Sequence, residues 1–265
     1  MAMESVVEHA GDAAGAATES GIHVALAAEK LGTFLGVPVT NTVLTSLVAM
    51  GILIILAFTL RTKLKLLPGK FQTLIEYIFE FVYDYVAETL GSRDMARKFF
   101  PLLMTIFLFV FVANILEFLP GVGSLTYNHH PLLRGANTDL TTPLVLALVS
   151  FFVIEITGIL AIGVWKYGSK FIQNPITNPV GFAVGLIELI GELVRVISLS
   201  FRLFGNIFAG AVVISVATFF APYGVPVLLM LFEIFIGFLQ AAIFALLTLF
   251  FIKLAIEEPH GEEAH

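Results

Sequence analysis

Residues 198–210 read SLSFRLFGNIFAG and place Arg202 within an apolar run that continues without proline from Val180 to Ala221. A guanidinium group stays protonated at every accessible pH. Holding such a cation near the centre of a bilayer costs about 3 kcal/mol on insertion scales. Charges at that depth usually face a bundle interior or an aqueous cavity and serve the movement of ions. The stretch therefore predicts a membrane helix with a role in ion transport.

The composition of the whole chain indicates a polytopic membrane protein. Of its 265 residues, 58% are hydrophobic and 13% are charged, whereas about 25% of the residues of a soluble domain are charged. Cysteine is absent, which excludes disulfides and cysteine metal sites. No catalytic triad, phosphate loop or metal-ligand spacing is present, so we expect no cofactor, no metal and no ATP chemistry in this chain. The net charge of −6 comes mainly from the two tails and indicates no nucleic-acid partner.

Five apolar segments are long enough to cross a bilayer, which requires about 20 residues. They are Asn41–Leu60, Phe99–Leu119, Pro143–Trp165, Val180–Ala221 and Gly224–Ile256. At about 1.5 Å per residue, the fourth is roughly twice as long as the ~30 Å hydrocarbon layer is thick. The chain is thus predicted to be an all-α membrane protein whose last two helices are long and tilted and form a hairpin. The membrane domain is residues 41–256, between a tail with a short surface helix at 1–40 and a tail at 257–265.

Residues 70–98 read KFQTLIEYIFEFVYDYVAETLGSRDMARK, in which an acid recurs every four residues from Glu76 to Glu88. This spacing puts the acids on one helical face and predicts an amphipathic helix at the membrane interface. The alternative is that this segment spans the membrane as a sixth helix, but its four regularly spaced acids make that less favourable.

Basic residues predict the orientation of the chain. With five spans, Lys30 and Arg134 lie on one side of the membrane, and ten basic residues lie on the other: Arg61, Lys63, Lys65, Lys70, Arg93, Arg97, Lys98, Lys166, Lys170 and Lys253. The positive-inside rule then places the amino terminus outside and the carboxyl terminus in the cytoplasm.

The polar residues of the fourth segment share one side of the predicted helix, since residues at such offsets recur on one face. They are Glu188, Glu192, Arg195, Arg202 and Asn206. The stripe predicts the lining of a wet cleft or a partner surface. For Glu192 and Arg195 a structural ion pair is an open alternative. No acid lies three or four residues from Arg202, which weakens that alternative there.

The final segment carries Glu233 and Gln240, seven residues apart with Gly237 between them on the same face. Small residues on both segments, such as Gly210, permit close helix approach, so the two polar faces can share a groove. A carboxyl group in such a groove is a candidate proton relay; a protonated structural acid is the alternative for Glu233. Asn206 and Gln240 could instead be interhelical hydrogen bonders.

Two further acids lie inside predicted spans. Glu117, near the outer end of the second span, is expected to line an outer access path. Glu155 lies midway along the third span, and the pattern does not decide what it faces.

Several motifs together resemble subunit a of F-type ATP synthases, the membrane stator beside the rotating c-ring. The most specific are SLSFRLFGNIFAG at 198–210 and LQAAIFALLT at 239–248, and the supporting ones are VPVTNT at 37–42, NILEFLP at 114–120, GANTDLTTPL at 135–144 and LIELIGELVRVISLS at 186–200. The resemblance covers the chain from about residue 22 onward.

The resemblance implies roles for individual residues. Arg202 is similar to the arginine that faces the ring carboxylates, and Gln240 to its neighbour on the adjoining helix. Asn206 is similar to an asparagine that lines an aqueous half-channel. Glu117 is similar to an acid near the outer entrance, and Glu188 to one on the inner exit path.

The chain departs from some bacterial relatives at two positions. Ala211 stands where those relatives have an acid, and Glu233 stands where they have a histidine. The departure leaves open whether Glu233 alone serves the outer relay.

The resemblance also implies a mechanism and partners. Protons would pass through an outer half-channel to the c-ring carboxylates and leave through an inner one, lined by Glu188 and Glu192, with Arg202 between the two. The expected partners are the c-ring proteolipids, peripheral-stalk subunit b, other ATP synthase subunits and the lipid bilayer, in a bacterial plasma membrane. A stand-alone secondary ion transporter is the main rival, although no internal repeat supports it. A non-transporting scaffold is the second rival.

Overall fold

A computed structural model describes residues 30–34, 37–65, 68–118, 126–127, 130–131, 133–171 and 179–256. The helices are α1 (Asn41–Lys63), α2 (Lys70–Leu90), α3 (Arg93–Phe118), α4 (Thr141–Ile162), α5 (Val164–Phe171), α6 (Pro179–Phe220) and α7 (Val225–Ile256). Two antiparallel pairs of short strands accompany them: β1 (Lys30–Phe34) with β2 (Val37–Thr40), and β3 (Thr126–Tyr127) with β4 (His130–Pro131).

Five of these helices, α1, α3, α4, α6 and α7, are long and apolar enough to cross a membrane. Each overlaps one of the five predicted spans, so the all-α membrane fold is confirmed. The predicted surface helix at 1–40 stays a prediction, because residues 1–29 lie outside the described ranges and the described part of that tail forms β1 and β2. The carboxyl tail at 257–265 also lies outside them.

Two predicted boundaries were wrong, and a glycine is the reason in each case. The third span ends at Ile162 and not at Trp165, because Gly163 adopts φ +93 and ends the helix. Trp165 instead belongs to α5, where its side chain is 92% exposed. The amphipathic helix ends at Leu90, because Gly91 adopts φ +67 and its N–H donates to the carbonyl of Glu88. Such a left-handed glycine is a common helix terminator, and residues 93–98 begin α3.

The predicted long hairpin is present. Helix α6 runs unbroken for 42 residues, a length of about 63 Å at ~1.5 Å per residue. Gly224, at φ +84, lies in the turn that leads into α7. The tilt of the hairpin stays a prediction.

Helix α7 packs against α3, α4 and α6 and so occupies the centre of the helical body. A core cluster near its carboxyl end includes Phe99 of α3, Ile154 of α4 and Ile252. A second cluster at mid-height includes Leu203 of α6 and Ala241. These clusters fix the heights at which polar residues of neighbouring helices meet.

Candidate functional site

Polar residues gather at the end of the helical body against which loop 133–140 packs. We call this group the loop cluster; it consists of Asn114, Glu117, Asn137, Glu233 and Gly210. Asn114 is 1% exposed, and its Nδ2 donates to the carbonyl of Gly237 at 3.1 Å. Asn137 Nδ2 donates to Asn114 Oδ1 at 2.7 Å. A Cβ at residue 237 would lie 3.0 Å from that of Asn114, so glycine permits this close approach. The two asparagines therefore tie the loop to α3 and α7.

Both acids of the loop cluster rest on glycine. The Glu117 carboxyl packs on Gly135 and the Glu233 carboxyl packs on Gly210, so that a Cβ at either glycine would overlap a carboxyl group. Glu117 also lies within electrostatic range of the Glu233 carboxyl. Asn206 lies one turn before Gly210 on α6. The structure thus brings together the carboxyl groups of Glu117 and Glu233, with Asn206 one helical turn from the glycine on which Glu233 packs.

Loop 133–140 is itself held by hydrogen bonds. The backbone N–H of Arg134 donates to Thr45 Oγ1 of α1 at 3.2 Å, and its Nε donates to Thr138 Oγ1 at 3.0 Å. The Arg134 guanidinium lies within electrostatic range of Glu117. No role at the site was predicted for Asn137 or Arg134, and only the motif at 135–144 pointed to this loop.

The α5 cluster lies at the opposite end of the body and consists of Glu155, Tyr167, Glu192 and Arg195. Arg195 Nη1 contacts Glu192 Oε2 at 2.7 Å, and the Arg195 guanidinium stacks 4.0 Å from the ring centroid of Phe251. Glu192 is 6% exposed. The ion pair considered from the sequence is therefore present within α6, and the stacking of Arg195 on Phe251 joins α6 to α7.

The other half of the α5 cluster joins α4 to α5. Tyr167 is 5% exposed, and its hydroxyl donates to Glu155 Oε2 at 3.0 Å. Its ring lies on Gly158, where a Cβ would collide with it. Burial of the phenol and, secondarily, the charge of Glu155 raise the pKa of Tyr167, so the hydroxyl remains a proton donor. The sequence analysis missed Tyr167, since a tyrosine in a short polar segment carries no distinctive signal.

Arg202 and Gln240 lie between the two clusters. Helices α6 and α7 are antiparallel, and contacts in both clusters hold them in register, so that the two residues come to the same height. Leu203 and Ala241, their immediate neighbours in sequence, share one core cluster. Along α6, Arg202 is about 10 Å from Arg195, taking ~1.5 Å per residue. Gln240 is 6% exposed.

Arg202 itself points away from the core. It is exposed, and it is the only charged residue among the exposed side chains of α6, all of which is described. Its exposed neighbours on that helix include Ile197, Phe201 and Val213. The structure thus presents one exposed cation on a helix surface that is mostly apolar.

Several buried polar atoms in this region have no hydrogen-bond partner within the described part of the chain. They include Glu117 Oε2, Asn137 Oδ1, Asn206 Nδ2, Glu233 Oε2 and Gln240 Nε2. Each unsatisfied group costs about 1–3 kcal/mol. We therefore expect these atoms to meet water or a partner chain, as the lining of a polar cleft does.

Within the described ranges, no group of three or more His, Cys, Asp or Glu is placed to hold a metal ion.

Replacing Asn114 with alanine is expected to lower the stability of the helical body. The change removes two hydrogen bonds and leaves the buried Nδ2 of Asn137 without an acceptor, a loss of about 1–3 kcal/mol. Thermal unfolding of the purified protein in detergent measures the effect. Thr105→Ala on the same helix is the matched control, because Thr105 is exposed and bonds only to the carbonyl of Pro101 in its own helix. Equal melting temperatures for the two variants would contradict the assigned role.

Comparison with known proteins identifies the family. The family described as ATP synthase A chain matches residues 43–253. Among curated proteins, ATP synthase subunit a of Mycobacterium bovis is 36% identical over 232 residues, covering 85% of this chain and 90% of that protein. ATP synthase subunit a of Campylobacter concisus is 37% identical over 215 residues, covering 79% and 86%. That of Moorella thermoacetica is 31% identical over 216 residues, covering 82% and 90%. With a family match along most of its length and relatives above 30% identity at this coverage, the chain belongs to the ATP synthase subunit a family.

Proposed function

We propose that this integral membrane chain conducts protons for an ATP synthase, through two half-channels that meet a rotating ring of proteolipid subunits on either side of Arg202. The observation that carries the proposal is the exposure of Arg202 on the apolar surface of α6. A guanidinium that faced acyl chains would cost about 3 kcal/mol or more. A partner that supplies an anionic group at this height removes that cost, and a ring carboxylate has the required charge.

The electrostatics of such a contact favour proton release. A carboxylate at 4 Å from the guanidinium gains about 4 kcal/mol at an effective dielectric constant near 20. The ionised form of the ring acid is thereby stabilised at Arg202, and the acid gives up its proton there. The same fixed charge repels protons and so blocks direct passage between the half-channels. A carboxyl that has regained a proton can move through lipid, where a bare carboxylate is strongly disfavoured.

The two polar clusters support a half-channel on each side of Arg202. In the loop cluster Glu117 and Glu233 converge, and Asn206 lies one turn from Gly210. The unpaired atoms of these three residues suit a hydrated path along which protons reach the ring. On the other side, Glu188 and Glu192 of α6 line the path by which protons leave. Gln240, at the height of Arg202, contributes an amide to the wall between the two paths.

The family name implies assembly with other ATP synthase subunits, and we propose the c-ring and peripheral-stalk subunit b among them. The excess of basic residues beside the α5 cluster favours a cytoplasmic location for that end. The tail at 1–40 would then lie outside a bacterial plasma membrane and the tail at 257–265 inside. During ATP synthesis, protons are therefore proposed to move from the loop cluster towards the α5 cluster.

Cysteine cross-linking in the assembled complex tests whether the Arg202 face meets the ring. The chain contains no cysteine of its own, so a single introduced thiol reports on one position. Phe201→Cys, on the exposed face of α6, is expected to form a disulfide with a ring subunit that carries one cysteine beside its carboxylate. Leu160→Cys is the control, because residue 160 is also highly exposed but lies on α4.

Cross-linking is scored by the mobility of the subunits on gels, with and without reductant. A cross-link from position 201 and none from position 160 supports the proposal. A cross-link from position 160 and none from position 201 would contradict the proposed ring-facing surface, and the absence of proteolipid from the purified complex would favour a transporter that works alone.

A further inference from the structure

Glu155 is a half-buried acid that the proposed path does not use. Its carboxylate accepts the hydroxyl of Tyr167, which α5 folds back onto Gly158 of α4. Tyr167 also lies within electrostatic range of Glu192 and Arg195 of α6. Acids from two helices therefore meet around one phenol, on the side of Arg202 by which protons are proposed to leave.

The groups around Glu155 come from every element that packs on this part of α4. Tyr167 comes from α5, and Glu192 and Arg195 come from α6, on which Glu188 lies one turn before Glu192. The α7 residue at this height is Lys253, because the hydrogen bond of 3.4 Å between Thr248 and Ser150 sets the register of α7 against α4. Glu188 and Lys253 each have interaction partners of their own.

The charges in this region do not balance. Within the α5 cluster two carboxyl groups, those of Glu155 and Glu192, accompany one cation, that of Arg195. Glu192 is already paired with Arg195 at 2.7 Å. One proton added to the α5 cluster therefore brings the sum of its formal charges to zero and does not make it positive. The neutral Tyr167 hydroxyl adds a donor whose position is fixed by packing on Gly158.

We propose that Glu155, positioned by Tyr167, is a proton-holding group of the half-channel at the α5 end. This inference rests on the proposed function. During synthesis the Glu155 carboxylate receives a proton that has come from the ring past Glu188 and Glu192, and then releases it to water at the α5 surface. During ATP-driven pumping the same proton moves in the opposite direction. The group returns to its starting state after each transfer.

A purely structural role for the same contact is the competing explanation, and matched variants separate the two. Glu155→Gln keeps an oxygen that can accept the Tyr167 hydroxyl but removes the site that holds a proton. Glu155→Asp keeps the proton site. Tyr167→Phe removes the hydroxyl and keeps the ring on Gly158. Glu80→Gln makes the same change at an exposed acid of α2 and serves as the control.

The test uses the assembled ATP synthase in proteoliposomes and measures ATP-driven proton pumping against the pH on the α5 side. We expect the wild-type rate to fall as that pH rises, because pumping takes protons from this side. Glu155→Gln should pump several-fold more slowly and with a flatter pH profile, and Glu155→Asp should recover most of the rate. Tyr167→Phe should move the pH of half-maximal pumping upward, because the hydroxyl stabilises the ionised carboxylate.

Wild-type rate and pH profile in Glu155→Gln would overturn the inference, and so would a loss of pumping that Glu155→Asp does not recover. If Glu155→Gln fails to assemble, an unchanged pH profile in Tyr167→Phe overturns it instead. Arg202→Ala is measured in parallel. Normal pumping in that variant refutes the proposed function, whereas its loss beside an unaffected Glu155→Gln refutes only the role of Glu155.

Discussion

An ATP synthase that carries Arg202→Ala is expected to lose proton-driven ATP synthesis completely while its subunits still assemble. Arg202 is exposed on α6 and packs in neither core cluster, so its removal leaves the helical body intact. What is lost is an attraction of about 4 kcal/mol for a carboxylate at 4 Å. Because 1.36 kcal/mol corresponds to one pKa unit, this attraction shifts the ionisation equilibrium of a ring acid by about 10³-fold. Without this attraction, the ring acid remains protonated as it passes α6.

The measurement is ATP synthesis by proteoliposomes under an imposed proton gradient, with subunit composition determined on the same sample. Arg93→Ala is the matched control, since it also removes a guanidinium but from a surface ion pair with Asp84 at 3.1 Å, in which both side chains are more than half exposed. Surface pairs of this kind contribute about 0–1 kcal/mol, so we expect near-normal synthesis. Arg202→Lys should restore little activity, because a lysine loses its proton more readily on burial. Synthesis at the wild-type rate by a fully assembled Arg202→Ala complex would disprove the role.

The membrane spans could be predicted from the sequence because each is a long apolar run, and the thickness of the bilayer sets the minimum length that such a run must have. The helix ends near Gly91 and Gly163 could not. Glycine also occurs inside the helices of this chain, as at Gly205 and Gly237, and only the backbone shows that Gly91 and Gly163 adopt positive φ. The break at Gly163 matters for function, because it allows α5 to fold back and place Tyr167 against Glu155.

Only one aspect of the site could be predicted from the sequence: which polar residues share a side of the same helix. The residues from Glu188 to Asn206 share a side of α6, yet the structure divides them: Glu192 is buried, whereas Arg202 is exposed. The difference arises because Arg202 lies further round the helix from the buried face that Leu203 marks. Contacts between residues of different helices and loops could not be predicted from the spacing of residues in the sequence. The pairing of Asn137 with Asn114 depends on how the loop packs and on the absence of a side chain at Gly237.

Replacing Glu233 with glutamine is expected to slow proton conduction through the assembled membrane sector by about 10²-fold, the lower end of what a positioned proton-transfer group contributes. Glutamine has nearly the same shape, so the packing on Gly210 is retained while the capacity to carry a proton is lost. Glu117 cannot take over the position, because its own carboxyl is held against Gly135. Passive proton flux through vesicles stripped of the catalytic sector measures the effect directly.

Moving the Glu233 carboxyl without removing it provides a second test of the same site. In Gly210→Ala the new methyl group occupies the space of that carboxyl, so the acid must shift and proton flux should fall although Glu233 is still present. Gly191→Ala is the matched control on the same helix, because a Cβ at residue 191 meets no atom within 4 Å and alanine favours the helix by about 1 kcal/mol. A structural Glu233 would leave flux and its pH dependence unchanged in Glu233→Gln. A proton-carrying Glu233 requires that both Glu233→Gln and Gly210→Ala conduct poorly while Gly191→Ala conducts normally, since only the first two disturb the carboxyl that faces Glu117.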